Sequence, residues 1–246
     1  MRQTWRLVVG AVMLCAFIAI TSNNSVRAGG TVGDGSPGSC TEQALDTALA
    51  GGGEVTFDCH DDDRTILLSS SKTITTDTRI VGSGEITLEH EEGFDRIFSV
   101  EAGVTLELDG LTLTGGVCAN DGGGAVYNEG ALEITNSTLS DNIADNRGGA
   151  LYNTAPAKII NSTISGNSAP VGGGIYNEGS ITLQNTLIAN SVSGDNCAGP
   201  DGITSLGHNL SDDASCSLSG SGDLDNTDAD LTPLGNYGGP TFAHLP

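Results

Sequence analysis

Apolar and polar residues alternate in short bursts along most of this chain. Leu106-Glu107-Leu108, Leu132-Glu133-Ile134, Ala157-Lys158-Ile159 and Ile181-Thr182-Leu183 each read inward, outward, inward. A period of two over a few residues marks a strand with one buried face. Gly, Asn, Asp or Ser breaks each burst, so the strands are short and the chain turns after every one. The bursts themselves repeat. GGGAVYNEGALEITNSTLSDN is followed by GGALYNTAPAKIINSTISGN and then by GGGIYNEGSITLQNTLIANS. Tyr127, Tyr152 and Tyr176 recur at spacings of 25 and 24, and Asn136, Asn161 and Asn185 keep the same two spacings. A period of that length is a structural unit that cannot bury its apolar face alone and must stack on its copies.

Aligning residues 110–116, 136–142, 161–167 and 185–191 gives steps of 26, 25 and 24, which predict three short strands per coil. The fold expected is therefore all-β, a right-handed parallel β-helix whose coils rise by about 4.8 Å. Four inward columns follow. They are Val126/Leu151/Ile175; Leu106/Leu132/Ala157/Ile181; Leu108/Ile134/Ile159/Leu183; and Leu113/Leu139/Ile164/Ile188. The Asn136/Asn161/Asn185 column falls at sharp turns, where Asn tolerates unusual backbone angles and can bond its copy in the next coil, so it reads as a structural ladder. Asn136 and Asn161 also start glycosylation-type triplets, as does Asn209, a match expected from a ladder of turn asparagines.

Outside the repeat the pattern changes at both ends. Ala44, Leu45, Ala48 and Leu49 stand at helical spacing behind Thr41 and ahead of three glycines, which predicts a short helix in residues 41–53 that caps the first coil. The residues before it, 29–40, are small and read as a flexible linker. Residues 1–28 carry Arg2 and Arg6, a 14-residue apolar run and Val26-Arg27-Ala28, the pattern of an export signal cleaved after Ala28. That apolar run is shorter than a membrane span needs. Coils are expected over 54–193, and 194–246 reads as a C-terminal segment of one or two irregular coils.

Charge narrows the partners. Loss of the three arginines in residues 1–28 takes the formal charge from −22 to −25, a surface that repels nucleic acid and attracts cations. Export permits disulfides. The local pairs are Cys40 with Cys59 and Cys197 with Cys216, each closing a loop of about 20 residues worth about 3 kcal/mol by the loop-entropy argument. Cys118 is left over.

The repeat, together with NCAG, ITSLGHNLSDDASC, SGSGDL and TDADLTPLGNYGGPTFAH, resembles bacterial secreted β-helix proteins of the choice-of-anchor Q type, whose repeats are similar to those of polymorphic outer-membrane proteins. The segment DGSPGSCTEQALDTALAGGGEVTFDC is similar to the opening of many of them. The resemblance implies a protein secreted or displayed at the bacterial cell surface, with a structural or adhesin-like role, and relatives that continue beyond His244-Leu245-Pro246 towards a sorting tail. Two departures stand out: Cys40 replaces the Leu usual in that opening, and the sequence given stops at Pro246.

Candidate chemistry is sparse. Glu107 over Glu133 would hold two carboxylates about 5 Å apart, near the separation of a retaining glycosidase. Lys158 follows in the same column and would pair with Glu133. Asp223, Asp225, Asp228 and Asp230 alternate in a pattern that offers oxygen ligands to calcium, without the central Gly and terminal Glu of an EF-hand loop. No other cofactor is implied. Arg147 is expected to pair with Asp141 or Asp145 as a surface ion pair. The Tyr127/Tyr152/Tyr176 column, with Glu107 and Glu133, offers a binding face for carbohydrate or a cell-surface protein. The leading expectation is a monomeric binding or structural module; the alternative is a polysaccharide lyase or glycoside hydrolase of the pectate-lyase-like fold.

Overall fold

The computed structural model describes residues 29–60, 64–91, 93, 95–232 and 235; the expected export signal at 1–28 lies outside them. The chain forms a parallel β-solenoid of about seven turns with a single helix among the described residues. Each central coil has three faces. Ala131–Thr135, Ala157–Ile160 and Ile181–Gln184 stack on the first, and Thr138–Ser140, Thr163–Ser165 and Leu187–Ala189 on the second. Val126–Asn128, Leu151–Asn153 and Ile175–Asn177 stack on the third. Thr78–His90 and Thr105–Thr114 each run unbroken around the corner between the first two faces, with a register shift between Val81 and Ile86.

The stacking register follows the period of the sequence. Leu106, Leu132, Ala157 and Ile181 lie directly above one another, as do Leu108, Ile134, Ile159 and Leu183. All eight are buried in one continuous core with Val126, Leu151, Ile175 and the Leu113/Leu139/Ile164/Ile188 column. Three polar devices hold the coils at that register. At the corner between faces one and two, Asn136, Asn161 and Asn185 adopt left-handed φ values of 50°, 49° and 49°. Asn185 Nδ2 donates to Asn161 Oδ1 at 3.0 Å, and Asn161 Nδ2 to Asn136 Oδ1 at 3.3 Å.

A second ladder, wholly buried, joins Asn128, Asn153 and Asn177: Asn128 Nδ2 donates to Asn153 Oδ1 at 2.7 Å and Asn153 Nδ2 to Asn177 Oδ1 at 2.8 Å. A third, also buried, links Asn142 Nδ2 to Asn167 Oδ1 at 3.0 Å. Gly123, Gly148 and Gly172 explain the repeated glycines ahead of the tyrosine strand. Their φ values are 71°, 58° and 63°, and a Cβ at each would collide with the carbonyl oxygen of Val126, Leu151 or Ile175.

Both ends depart from the repeat. The helix Glu42–Leu49 starts at Thr41, whose side chain accepts from the Ala44 N–H, and buries Leu45 and Ala48 over the first coil. Residues 29–40, expected as a flexible linker, are instead built into the fold. Thr31–Val32 pairs in parallel with Gly53–Phe57, and Val32 is fully buried. Its small residues suit close approach: a Cβ on Gly30 would press against the Ala48 Cα of the helix. The disulfide Cys40–Cys59 clips this turn to the strand it covers.

At the other end the coil pattern continues past residue 193. Cys197–Ala198, Ile203–Ser205 and Leu210–Ser211 pair with the three strands of the preceding coil. Steps of 22 and 23 replace the earlier 24 and 25, so residues 197–211 form one further, shortened coil of the kind expected for the C-terminal segment. The disulfide Cys197–Cys216 then folds the following loop back over it.

Candidate functional surface

On the third face the residue between two buried neighbours points outward, which places Tyr127, Tyr152 and Tyr176 in register, one per coil. The Tyr127 and Tyr152 rings meet tilted at 57° with centroids 5.1 Å apart, and those of Tyr152 and Tyr176 edge to face at 81° and 5.4 Å. Such pairs contribute about 0.5–1.5 kcal/mol beyond area burial. Two arginines from the preceding turns lie over the outer rings: Arg96 is 4.7 Å from the Tyr127 centroid and Arg147 is 5.0 Å from that of Tyr176. The hydroxyls are held too. Tyr127 Oη donates to Glu129 at 3.2 Å and Tyr152 Oη to Glu178 at 2.9 Å. Burial, then the charge and hydrogen bond of Glu129, pushes the Tyr127 phenol up to about 12. Burial and Glu178 raise Tyr152.

Arg147 does not pair with Asp141 or Asp145. It reaches one coil further, where its Nη1 donates to Glu178 at 3.1 Å. The reason is the stacking direction: Arg147 is in bridge register with Gly122 and Val171, so its side chain lies against the next tyrosine of the column rather than its own loop.

On the first face Glu107 and Glu133 stand in register as expected, and a cation stands on either side of them. Lys158 Nζ meets Glu133 at 3.0 Å, and Arg79 Nε meets Glu107 at 3.4 Å. Arg79 also binds Glu54 at 2.9 Å and Asp109 at 3.0 Å. Glu107 and Glu133 side chains are 47% and 40% exposed, so the pair forms part of an ion-paired, solvent-facing ladder.

The structure does not gather Asp223, Asp225, Asp228 and Asp230. Asp223 turns inward and accepts from Ser205 Oγ, the Asn209 N–H and the Gly220 N–H, bonds that outweigh its burial and lower its pKa. Asp228 accepts from the Asp230 N–H at 2.9 Å. Among the described residues no three His, Cys, Asp or Glu side chains converge as metal ligands. Cys118 is free and buried, with Arg96 Nη2 3.1 Å from its sulfur.

The repeat placed the tyrosines in one column, which the register shows, but not Arg96, Arg147, Glu129 and Glu178 around them. The signal was present: the residue after each inward Asn of the third face is Glu129, Thr154 or Glu178, an acidic column broken once. Only the coil register shows that it flanks the tyrosines.

Stacked parallel coils, residue-on-residue columns and paired outward charges define a β-helix repeat protein. Two of its stretches, residues 136–154 and 161–178, match the Chlamydia polymorphic membrane protein (Chlamydia_PMP) repeat, so these coils are similar to that repeat. No curated protein and no solved structure matches it. Among the described residues no helix is long and apolar enough to cross a membrane.

Proposed function

We propose that this protein is displayed at the bacterial surface or secreted, and acts there as an adhesin-like binding module without a catalytic role. The observation that carries the reading is the third face, where Tyr127, Tyr152 and Tyr176 are fixed by Arg96, Arg147, Glu129 and Glu178 before any partner arrives. Rigid aromatic surface loses little conformational entropy on binding, which makes such a wall a low-cost contact area. The polymorphic membrane protein repeat supports the surface placement. Arginines cover the Tyr127 and Tyr176 rings, which favours a cell-surface protein over a sugar ring as the partner. Exported protein applied to arrays of host-surface proteins and glycans, with and without calcium, is expected to bind protein targets and to lose that binding in Tyr152→Ala. Release of reducing or unsaturated ends from polysaccharides in the same samples would overturn the reading in favour of a lyase or hydrolase.

A further inference from the structure

A shallow depression of about 260 Å³ opens beside the tyrosine column, with Val104, Thr105, Glu129, Gly130, Ala131 and Pro156 among its lining residues. We propose that it receives one arginine or lysine side chain of a partner protein; the proposal rests on the binding-module reading and names the chemistry of the contact. The volume is smaller than the roughly 300–1,000 Å³ of a pocket for a free small molecule, and suits a single long side chain. Val104, Ala131 and Pro156 offer apolar walls for the methylene stem of a basic residue, whose head stays in water at the rim.

At that rim stands Glu129, positioned by the Tyr127 hydroxyl. Among the described residues no cation pairs with it. A second carboxylate, Asp77, accepts from the Thr105 N–H at 2.9 Å and adds to the negative field. Gly130 lets the chain pass close to the preceding turn, since a Cβ there would strike the Val104 and Glu101 carbonyl oxygens.

The molecule contains its own version of the contact. Two coils along the same column, Glu178 occupies the position of Glu129, and there the guanidinium of Arg147 lies over Tyr176 and 3.1 Å from the carboxylate. At the Glu129 rung the corresponding arginine, Arg96, covers Tyr127 but directs its Nη2 to Cys118. The tyrosine and carboxylate are thus in place and the carboxylate is left for a cation from outside. The strong negative charge of the whole chain draws such a group in.

The test is a titration of the exported protein with Nα-acetyl-arginine methylamide, followed by backbone amide NMR shifts, beside the uncharged citrulline analogue. Shifts confined to Thr105, Gly130, Ala131 and their neighbours are expected with arginine and none with citrulline. Glu129→Gln should weaken the response about fivefold, the size of one partly exposed ion pair. Asp145→Asn, an equal change of charge on another turn, should leave it unchanged. Shifts scattered over the acidic surface, equal losses in the two variants, or no shifts at all would each overturn the proposal. A failed titration would leave array binding by the whole protein intact, and failed array binding would leave a positive titration intact, so the two readings fail separately.

Discussion

One inward column of the third face runs Lys72, Phe98, Val126, Leu151, Ile175, Cys197. Its four central members are apolar and fully buried, each against its counterpart in the next coil. The two end members are buried as well but lack a stacked coil on one side, and both have changed chemistry. Lys72 is only 4% exposed in its side chain and binds Glu42 at 2.6 Å and Asp46 at 2.7 Å on the capping helix. Cys197 is joined to Cys216 in the loop that closes the opposite end. The middle of a solenoid is stabilised by repetition, whereas each end needs a specific bond to an element that does not repeat. The polar columns obey the same division, and they separate further by burial.

The sharpest way to break the comparison is to remove one rung of the buried ladder. Asn153→Ala deletes bonds to Asn128, Asn177 and the Ala155 carbonyl, and weakens the satisfaction of two neighbouring amides that are fully buried. Unsatisfied buried groups cost about 1–3 kcal/mol each, so a loss of about 3–5 kcal/mol is expected in urea unfolding. Asn161→Ala, in the exposed ladder, loses two hydrated bonds and forces Ala to a φ of 49°, for about 1–2 kcal/mol. Equal losses at the two sites would show that burial does not distinguish the ladders.

The ends come next in size. Cys197→Ser with Cys216→Ser should remove about 3 kcal/mol of local stability, as for any loop of similar length. Because a solenoid opens from its ends, limited proteolysis should begin within residues 197–216 while the central coils persist. Cys118, which packs with Ala144 and Ala169 in a small separate cluster, is the internal control. Cys118→Ala should shift the unfolding midpoint by an amount closer to that of a lost methyl-sized group, and protection of residues 197–216 should not change.

This division also explains what was legible in the sequence. The aliphatic columns and the Asn136/Asn161/Asn185 corner were readable because a residue and its partner are the same letter one period apart. Asn128/Asn153/Asn177 had that signal too, yet the alternation rule assigns the position after an outward tyrosine to the core, where Asn is unexpected without a partner of its own kind. Contacts between unlike residues in different coils were not readable. Arg79 joins Glu54, Glu107 and Asp109 from a coil with no recognisable repeat motif, and Lys72 answers a helix 30 residues away. Residues 29–40 looked like a linker because glycine and serine signal flexibility by composition, although here they permit close packing under the helix.

The smallest effect should come from acid acting on the N-terminal latch. Burial pushes the Glu42 carboxyl up, but hydrogen bonds from Lys72 and Ser69, with the Lys72 charge, outweigh it and hold the group at about 2. An unfolded glutamate titrates near 4.3. The folded value is the lower one, so the latch contributes fully above the unfolded range and is lost as pH falls from about 5 towards 2. Glu42 also accepts from the Ser69 and Ser70 amides at 3.0 Å and 3.2 Å, which makes those two protons direct reporters of the latch. Hydrogen exchange should show their protection falling over that window in the wild type, once intrinsic rates are corrected for pH. In Glu42→Gln it should start lower and stay flat. Asp46 continues to neutralise Lys72 in the variant, which limits the cost to about 1–2 kcal/mol and spares the central coils. A wild-type profile as flat as that of the variant would mean that the helix is held by Leu45, Ala48 and the Cys40–Cys59 disulfide alone, and that the buried lysine takes no measurable part in closing that end.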